Sequence, residues 1–393
     1  MPNVRTLCAT LSFWAMQSMA FAGAAFAAPM QFSVGIAPLA VCAGDFNGDG
    51  KPDIACANFR SASATLLFGD GSGALPSSTT VTLPTYPYAV RAADMNGDGR
   101  LDLVASGFTG VVSVVCGNDD GTFLPTNDRA VGGRLTSMAI NDFNSDGRLD
   151  VVCSQGDVPY RAMYLQGAGN GTFSTISSLQ PGAYQSYQAD LVAADFNGDG
   201  MLDLALSQSI GYYGAIAVTL GSAGGSFLAP TTYKSVHSPS AIVAGDFNRD
   251  GNVDIVTASA DPAGYRVRLG TGTGTFGPEV VVPVGVQLTG ISAGDIDGDS
   301  IDDLVLADIN KTSEPSNRVY VAIGCGDGTF RSPAAVNVGP HPVATVIQDM
   351  NGDGRRDIVS VNYGNGAAGG GSISVSLNLG PPAAVDDWCL YAR

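Results

Sequence analysis

Between Met30 and Gly380 the chain alternates short apolar runs with breaks rich in Asp, Asn and Gly. Each unit opens with an apolar run such as Val90-Arg-Ala-Ala93, crosses an acidic loop, and resumes with a second run such as Leu101-Asp-Leu-Val-Ala105. A variable loop and a third apolar run follow, ending in a Gly-rich turn and Phe, as in Gly117-Asn-Asp-Asp-Gly-Thr-Phe123, Gly270-Thr-Gly-Thr-Gly-Thr-Phe276 and Gly324-Cys-Gly-Asp-Gly-Thr-Phe330. The unit closes on a more polar run, for example Ala334-Ala-Val-Asn-Val338. Runs of this length bounded by Gly and Asn predict strands, and few segments show helical spacing. Four short strands per unit of about 50 residues, repeated, predict an all-β chain: a β-propeller of four-stranded blades. The 52 glycines fit a turn-rich chain of that kind.

The acidic loop recurs seven times, and its starts lie 49, 48, 53, 51, 49 and 54 residues apart. Its pattern, Asp-x-Asn-x-Asp-Gly-x-x-Asp, puts oxygen-bearing side chains at positions 1, 3, 5 and 9. The candidate metal ligands are Asp45, Asn47, Asp49 and Asp53; Asp94, Asn96, Asp98 and Asp102; Asp142, Asn144, Asp146 and Asp150; and Asp195, Asn197, Asp199 and Asp203. The last three loops add Asp246, Asn248, Asp250 and Asp254; Asp295, Asp297, Asp299 and Asp303; and Asp349, Asn351, Asp353 and Asp357. Hard oxygens at that density suit Ca²⁺, which takes about six to eight of them in flexible geometry. Up to seven structural Ca²⁺ ions are therefore expected. Gly at position 6 allows the positive φ that a tight wrap needs. An EF-hand opens the same way but requires Glu at position 12. Here position 12 holds Cys56, Ala105, Cys153, Leu206, Thr257, Leu306 and Ser360, and the flanks are strand-like, so the loop reads as a metal-binding β-hairpin turn.

These paired motifs, acidic loop and Gly-x-Gly-Thr-Phe turn, resemble the FG-GAP/VCBS repeat family, best known from the integrin α-chain propeller. The resemblance covers nearly the whole of residues 28–380. It implies a seven-bladed propeller with the metal loop between the first and second strands of each blade. Two loops depart from the pattern: Ser300 replaces Gly at position 6, and Asp302 and Arg356 stand at position 8, where the others carry Pro52, Leu101, Leu149, Leu202 and Val253. Blade seven reaches Gly380-Pro-Pro382 without a fourth strand, whereas Met30-Gln-Phe-Ser-Val34 has strand spacing and no blade of its own. The N-terminal strand is thus expected to complete the last blade and leave no open edge.

Residues 1–27 read as a signal peptide: Arg5, an apolar stretch from Leu7 to Phe21, and the small-x-small site Ala25-Phe-Ala27. The expected location is secreted or periplasmic, with residues 381–393 a short tail and no membrane span after leader removal. Acidic residues outnumber basic ones 36 to 19, and twenty-two of the 36 occupy the proposed ligand positions, so the net charge of −17 is largely a charge for metal ions to neutralise. No basic patch appears, which argues against nucleic acid as a partner, and a monomer is expected.

The remaining loops of a propeller share the face opposite the metal loops. There the sequence places Tyr86, Tyr88, Tyr160, Tyr184, Tyr187, Tyr212, Tyr213 and Tyr265, with His237 and His341 just before first strands. Tyr offers a flat surface with a hydrogen-bonding tip, suited to a glycan or a protein. The expected function is a binding or adhesion module using that face. The alternatives are a lectin, or a polysaccharide lyase using His237 or His341 with a Tyr and Arg134. No nucleophile elbow, phosphate loop or zinc motif is present. Six cysteines follow the leader; Cys42 with Cys56, and Cys325 with Cys389, are possible pairs, against burial of each as a small hydrophobe.

Overall fold

The computed structural model describes residues 25–157, 161–179, 187–210, 213–235, 239–260, 263–308, 316–364 and 370–380. They form seven four-stranded antiparallel sheets and no helix among the described residues. The sheets are the blades of a propeller. Blade 1 consists of Pro38–Gly44, Asp53–Asn58, Ser63–Phe68 and Ser77–Thr82, hydrogen-bonded in that order. Blades 2 to 7 open with the inner strands Pro87–Ala93, Leu135–Asn141, Tyr187–Ala194, Pro239–Gly245, Leu288–Gly294 and Pro342–Gln348. Each inner strand contacts the next, and the seventh contacts the first, so the ring is closed.

Position in the ring explains composition along each blade. Second strands lie between the faces of neighbouring blades, and all six residues of Asp53–Asn58 and of Asp102–Gly107 are buried. A strand covered on both faces needs an unbroken apolar run, as seen here, and not alternation. The outer strand Ser77–Thr82 is polar and mostly exposed, because one of its edges faces water. The core is accordingly divided among the blade interfaces. In the first, Ala55 and Leu66 of blade 1 pack with Val90 and Leu103 of blade 2.

The N-terminal strand closes the ring as expected. Met30–Ser33 pairs antiparallel with Ser372–Ser376, with Met30 opposite Val375 and Ser33 opposite Ser372. The pairing extends upstream: Ala25 N–H donates to Gly380 O (2.9 Å), Ala27 N–H to Leu377 O (2.8 Å), and Leu379 N–H returns to Ala25 O (2.7 Å). The fold thus begins by Ala25, three residues before the boundary read at Ala28. Residues 1–24 and the tail 381–393 lie outside the described residues.

The proposed Cys42–Cys56 pair does not form. Cys42 stands opposite Ala55 and Cys56 opposite Val41, a register offset of one. Because side chains alternate along a strand, the two thiols leave opposite faces of the blade. Cys42 packs towards blade 2 and Cys56 towards Val359 and Ile373 of blade 7. Both are free, as are buried Cys116 and Cys153 and exposed Cys325; Cys389 lies outside the described residues. Burial pushes the Cys42 thiol up to about 12, so it behaves as a small hydrophobe.

Candidate functional site

Each acidic loop is a knot of side-chain-to-backbone hydrogen bonds. In the first, Asp45 Oδ1 accepts from Asp49 N–H (3.1 Å) and Asp45 Oδ2 from Gly50 N–H (2.8 Å). Asn47 Oδ1 accepts from the same Asp49 amide (3.0 Å), and Asp49 Oδ1 from Lys51 N–H (3.0 Å). The oxygens of positions 1, 3 and 5 are thereby drawn to the inside of one turn. The other loops repeat the scheme, with Asp94, Asp142, Asp195, Asp246, Asp295 and Asp349 each receiving the position 6 amide. That wrap needs a left-handed residue at position 6, filled by Gly except in loop six, where Ser300 adopts φ 65°. A second left-handed position, number 4, is occupied by Ser145 (φ 60°) and Arg249 (φ 59°) in loops three and five.

Position 9 is fully buried in all seven loops. Asp53 Oδ2 accepts from Phe46 N–H (2.9 Å) and Oδ1 from Gly69 N–H (2.8 Å), tying the acidic loop to the Gly-rich turn of its own blade. Burial is the leading cause that pushes these carboxyls above their usual range: to about 6 for Asp53, Asp254 and Asp357 and about 7 for Asp303, and upward for Asp102, Asp150 and Asp203. Loop six, which departs most from the sequence pattern, brings three carboxylates together, because Asp297 stands where the other loops carry Asn. One oxygen each from Asp295, Asp297 and Asp303 lie within 4.8 Å of one another. Carboxylates crowded and buried in this way repel one another unless a cation sits among them. An all-oxygen set without His or Cys fits a hard divalent ion. The amide-bonded position 9 oxygens keep a second lone pair for that ion.

The loops also set how blades pack. The residue at position 2 meets the Phe of the next blade's Gly-rich turn. Ring centroids are 6.4 Å apart for Phe46–Phe123, 6.1 Å for Phe143–Phe227, 5.4 Å for Phe196–Phe276 and 5.6 Å for Phe247–Phe330. Met95 shares an apolar cluster with Phe173, and Met350 one with Leu75. Backbone bonds reinforce the contact: Gly171 N–H to Met95 O (3.1 Å), Gly274 to Phe196 O (2.9 Å) and Gly328 to Phe247 O (3.0 Å). Blade 7 has no such turn. Asn378 takes its place, its amide donating to Asp357 Oδ1 (2.7 Å) and its side chain to Ile296 O (2.8 Å). The missing Phe is supplied by Phe26, bridged to Asn378 and clustered with Ile296.

On the opposite face, four aromatic rings gather where blades 1 and 2 meet. Phe59 is at the centre, stacked on Tyr88 at 4.9 Å, tilted against Tyr86 at 5.9 Å and edge-on to Phe108 at 6.4 Å. Tyr86 is 44% and Phe108 51% exposed, and Ile36 beside them is 38% exposed. Among the described residues, three of the eight exposed large hydrophobics lie in this patch. Sequence reasoning found Tyr86 and Tyr88 but missed Phe59 and Phe108, each of which directly follows a second strand. That placement was the available signal.

Tyr265 does not belong to this surface. It lies in the strand Ala263–Arg268, fully buried against Phe330 at 5.7 Å, since its alternation directs it into the interface of blades 5 and 6. His341 holds two loops together, its amide on Ser316 O (2.7 Å) and its Nδ1 at 3.0 Å from Gly364 O. Arg134 is bonded to Gly156 O (3.2 Å) and paired with Asp157 (3.3 Å). Tyr160, Tyr184, Tyr212 and His237 lie outside the described residues; Tyr187 and Tyr213 begin strands, and their side chains are not described.

The inner strands enclose an axial channel. Every blade has a register shift at the same place in its first strand pair, for example between Pro87 and Ala89. A bulge re-aims a side chain, and Tyr88 and Thr289 at these points line the channel mouth. The upper cavity is about 220 Å³ and touches all seven inner strands; the lower one is about 490 Å³. Asp190 spans three blades there, accepting from Ser137 Oγ (2.6 Å) and from Ile242 N–H (3.1 Å).

The chain resembles BBS1N solved in complex with ARL6DN (TM-score 0.63, 11% identity, 92% of this chain and 98% of that one). It resembles Raptor of Chaetomium thermophilum (0.60, 12%, 90% and 29%). It also resembles an Agrocybe aegerita lectin that recognises non-reducing terminal N-acetylglucosamine (0.54, 22%, 76% and 79%). At these identities the likeness is one of fold. No curated protein sequence matches. The profile of FG-GAP-like repeats matches residues 45–105, 94–153, 142–206 and 246–306, spanning the first six acidic loops. Since these segments cover more than half of the chain, the protein belongs to the FG-GAP-like repeat family.

Proposed function

We propose that the protein is an exported recognition module whose ring is held by Ca²⁺ and whose opposite face binds a glycan or protein. The observation that carries this reading is the aromatic patch of Phe59, Tyr86, Tyr88 and Phe108. Two exposed rings, Tyr86 and Phe108, gathered with half-buried Phe59 and Tyr88 at a blade junction form an apolar patch of the kind that partners cover. Ca²⁺ is the hard ion that best fits flexible all-oxygen loops, and its role here is structural, since each loop sits between its own turn and the next blade. Export is supported by Arg5 and the apolar stretch from Leu7 to Phe21, a leader pattern that also suits low-affinity sites in a calcium-rich compartment. The related folds include one solved with a protein partner and one lectin, consistent with either ligand class. The test is a glycan and protein array probed with Ca²⁺-loaded protein and with Tyr86→Ala and Phe108→Ala. Binding that both variants weaken without lowering Tm supports the reading; binding indifferent to both refutes this face.

A further inference from the structure

We infer that the upper axial channel is a subsite for the carboxylate of an acidic saccharide, anchored by Arg91. The inference rests on the reading that this face binds a ligand, and it names the ligand's chemistry.

The polar groups of the channel wall are nearly all spent on the frame. Ser137 Oγ donates to Asp190, Ser240 Oγ to Leu288 O (2.9 Å), and Ser292 Oγ to Thr345 O (2.7 Å). Thr136 bonds Ser154 (2.8 Å). Asp190 accepts from Ser137 Oγ and from the amides of Leu191 and Ile242, so its carboxylate is covered by donors. Arg91 differs. Its Nη1 donates to Val90 O, on its own strand, at 2.9 Å, and the other guanidinium N–H groups have no partner among the described residues. The group is half-buried and lines both the upper and the lower cavity. No ion pair joins it to Asp190 across the channel.

A guanidinium held partly out of water, with a planar fork of unused donors, is matched by a carboxylate. The neighbours specify what carries that carboxylate. Tyr88, three residues earlier on the same inner strand, lines the upper cavity and stacks on Phe59. Its hydroxyl has no hydrogen-bond partner among the described residues. The anion pocket therefore opens beside the aromatic patch. A ligand filling both needs a flat face for the rings and a carboxylate for the guanidinium, and a uronic-acid residue at the end of a glycan supplies the two together. An upper cavity of about 220 Å³ is on the scale of a single sugar ring.

The test is calorimetry on the Ca²⁺-loaded protein with a glucuronate-terminated trisaccharide, its glucose-terminated counterpart, free glucuronate and sodium acetate. The acidic trisaccharide should bind about tenfold tighter than the neutral one, with the preference shrinking in high salt. Arg91→Gln should abolish the preference and keep neutral binding; Arg91→Lys, which keeps the charge but not the fork, should retain part of it. Tyr86→Ala should weaken both trisaccharides alike. Acetate bound as well as the acidic trisaccharide would show an anion site without a sugar and overturn the inference. Wild type binding both trisaccharides equally, or Arg91→Gln and Arg91→Lys keeping the preference with Tm unchanged, overturns this inference alone. Wild type binding neither, with array binding indifferent to Tyr86→Ala and Phe108→Ala, overturns the wider reading too.

Discussion

With the loops holding Ca²⁺ as proposed, its removal at pH 7.5 should lower Tm by roughly 10–20 °C in one cooperative step. An extracellular-type site has Kd near ~10⁻⁴ M, so ~1 mM free Ca²⁺ stabilises each loop by roughly 1.4 kcal/mol. Seven equal loops give an upper figure near ~10 kcal/mol, since coupled sites do not add cleanly. For a chain this long, each kcal/mol moves Tm by about 2 °C, so a drop of roughly 10–20 °C is expected. Cooperativity follows from the contacts between blades, because each loop carries the position 2 side chain on which the next blade rests. The buried position 9 carboxyls add a pH signature. In chelator the folded state holds protons on Asp53, Asp254 and Asp357 up to about pH 6 and on Asp303 to about 7. The unfolded chain loses them near pH 3.9. Between these values the native state binds more protons, so metal-free stability should rise as pH falls from 7.5 towards 4. The Ca²⁺ form should respond oppositely, because protons compete with the ion for the same oxygens. Calorimetric melts with Ca²⁺ and with EGTA at pH 7.5 and 5.5 test this together. A Tm difference below about 3 °C at pH 7.5, or one that widens on acidification, refutes the assignment.

The other predictions concern single contacts. Ser300→Gly should raise stability by about 0.5–1 kcal/mol, read by denaturant midpoint, because an L side chain at φ 65° carries strain that Gly does not. Phe247→Ala, which removes the ring under Phe330, should cost about 3–5 kcal/mol and lower Tm without altering the Ca²⁺ stoichiometry measured by calorimetry. Deleting residues 30–36 should abolish cooperative unfolding, since Ser372–Ser376 would become an open edge; an unchanged melt would break the closure argument. If the proposed export holds, mass spectrometry of the mature protein should find its N-terminus at or before Ala25, not at Ala28. Cleavage after Ala27 would remove Phe26 from its cluster with Ile296, and Ala22-Gly-Ala24 offers an alternative small-x-small site.

What could be read from the chain alone was whatever repeats. The acidic loops and Gly-x-Gly-Thr-Phe turns recur at regular spacing, so blade number and strand order follow from local residues counted seven times. The ring-closing strand was legible for the converse reason, as one unit too few at one end and one too many at the other. Features that exist only once were hidden. Asn378 and Phe26 together rebuild in blade 7 the turn that the other blades encode locally, but they stand 352 positions apart and neither matches the motif. Cys42 and Cys56 looked symmetric about their loop, yet the loop length sets a register that turns them to opposite faces. Tyr265 was assigned to a surface by its place in the repeat, whereas strand alternation, a period of two, sends it inward. The aromatic patch was half visible for a related reason. Phe59 and Tyr86 belong to different blades, and only the angle between two sheets makes them neighbours. Arg91 carries the argument furthest. In sequence it is one basic residue in an apolar strand, and its unused donors become meaningful only once the hydroxyls around the channel are seen to be spent on Asp190 and on backbone carbonyls.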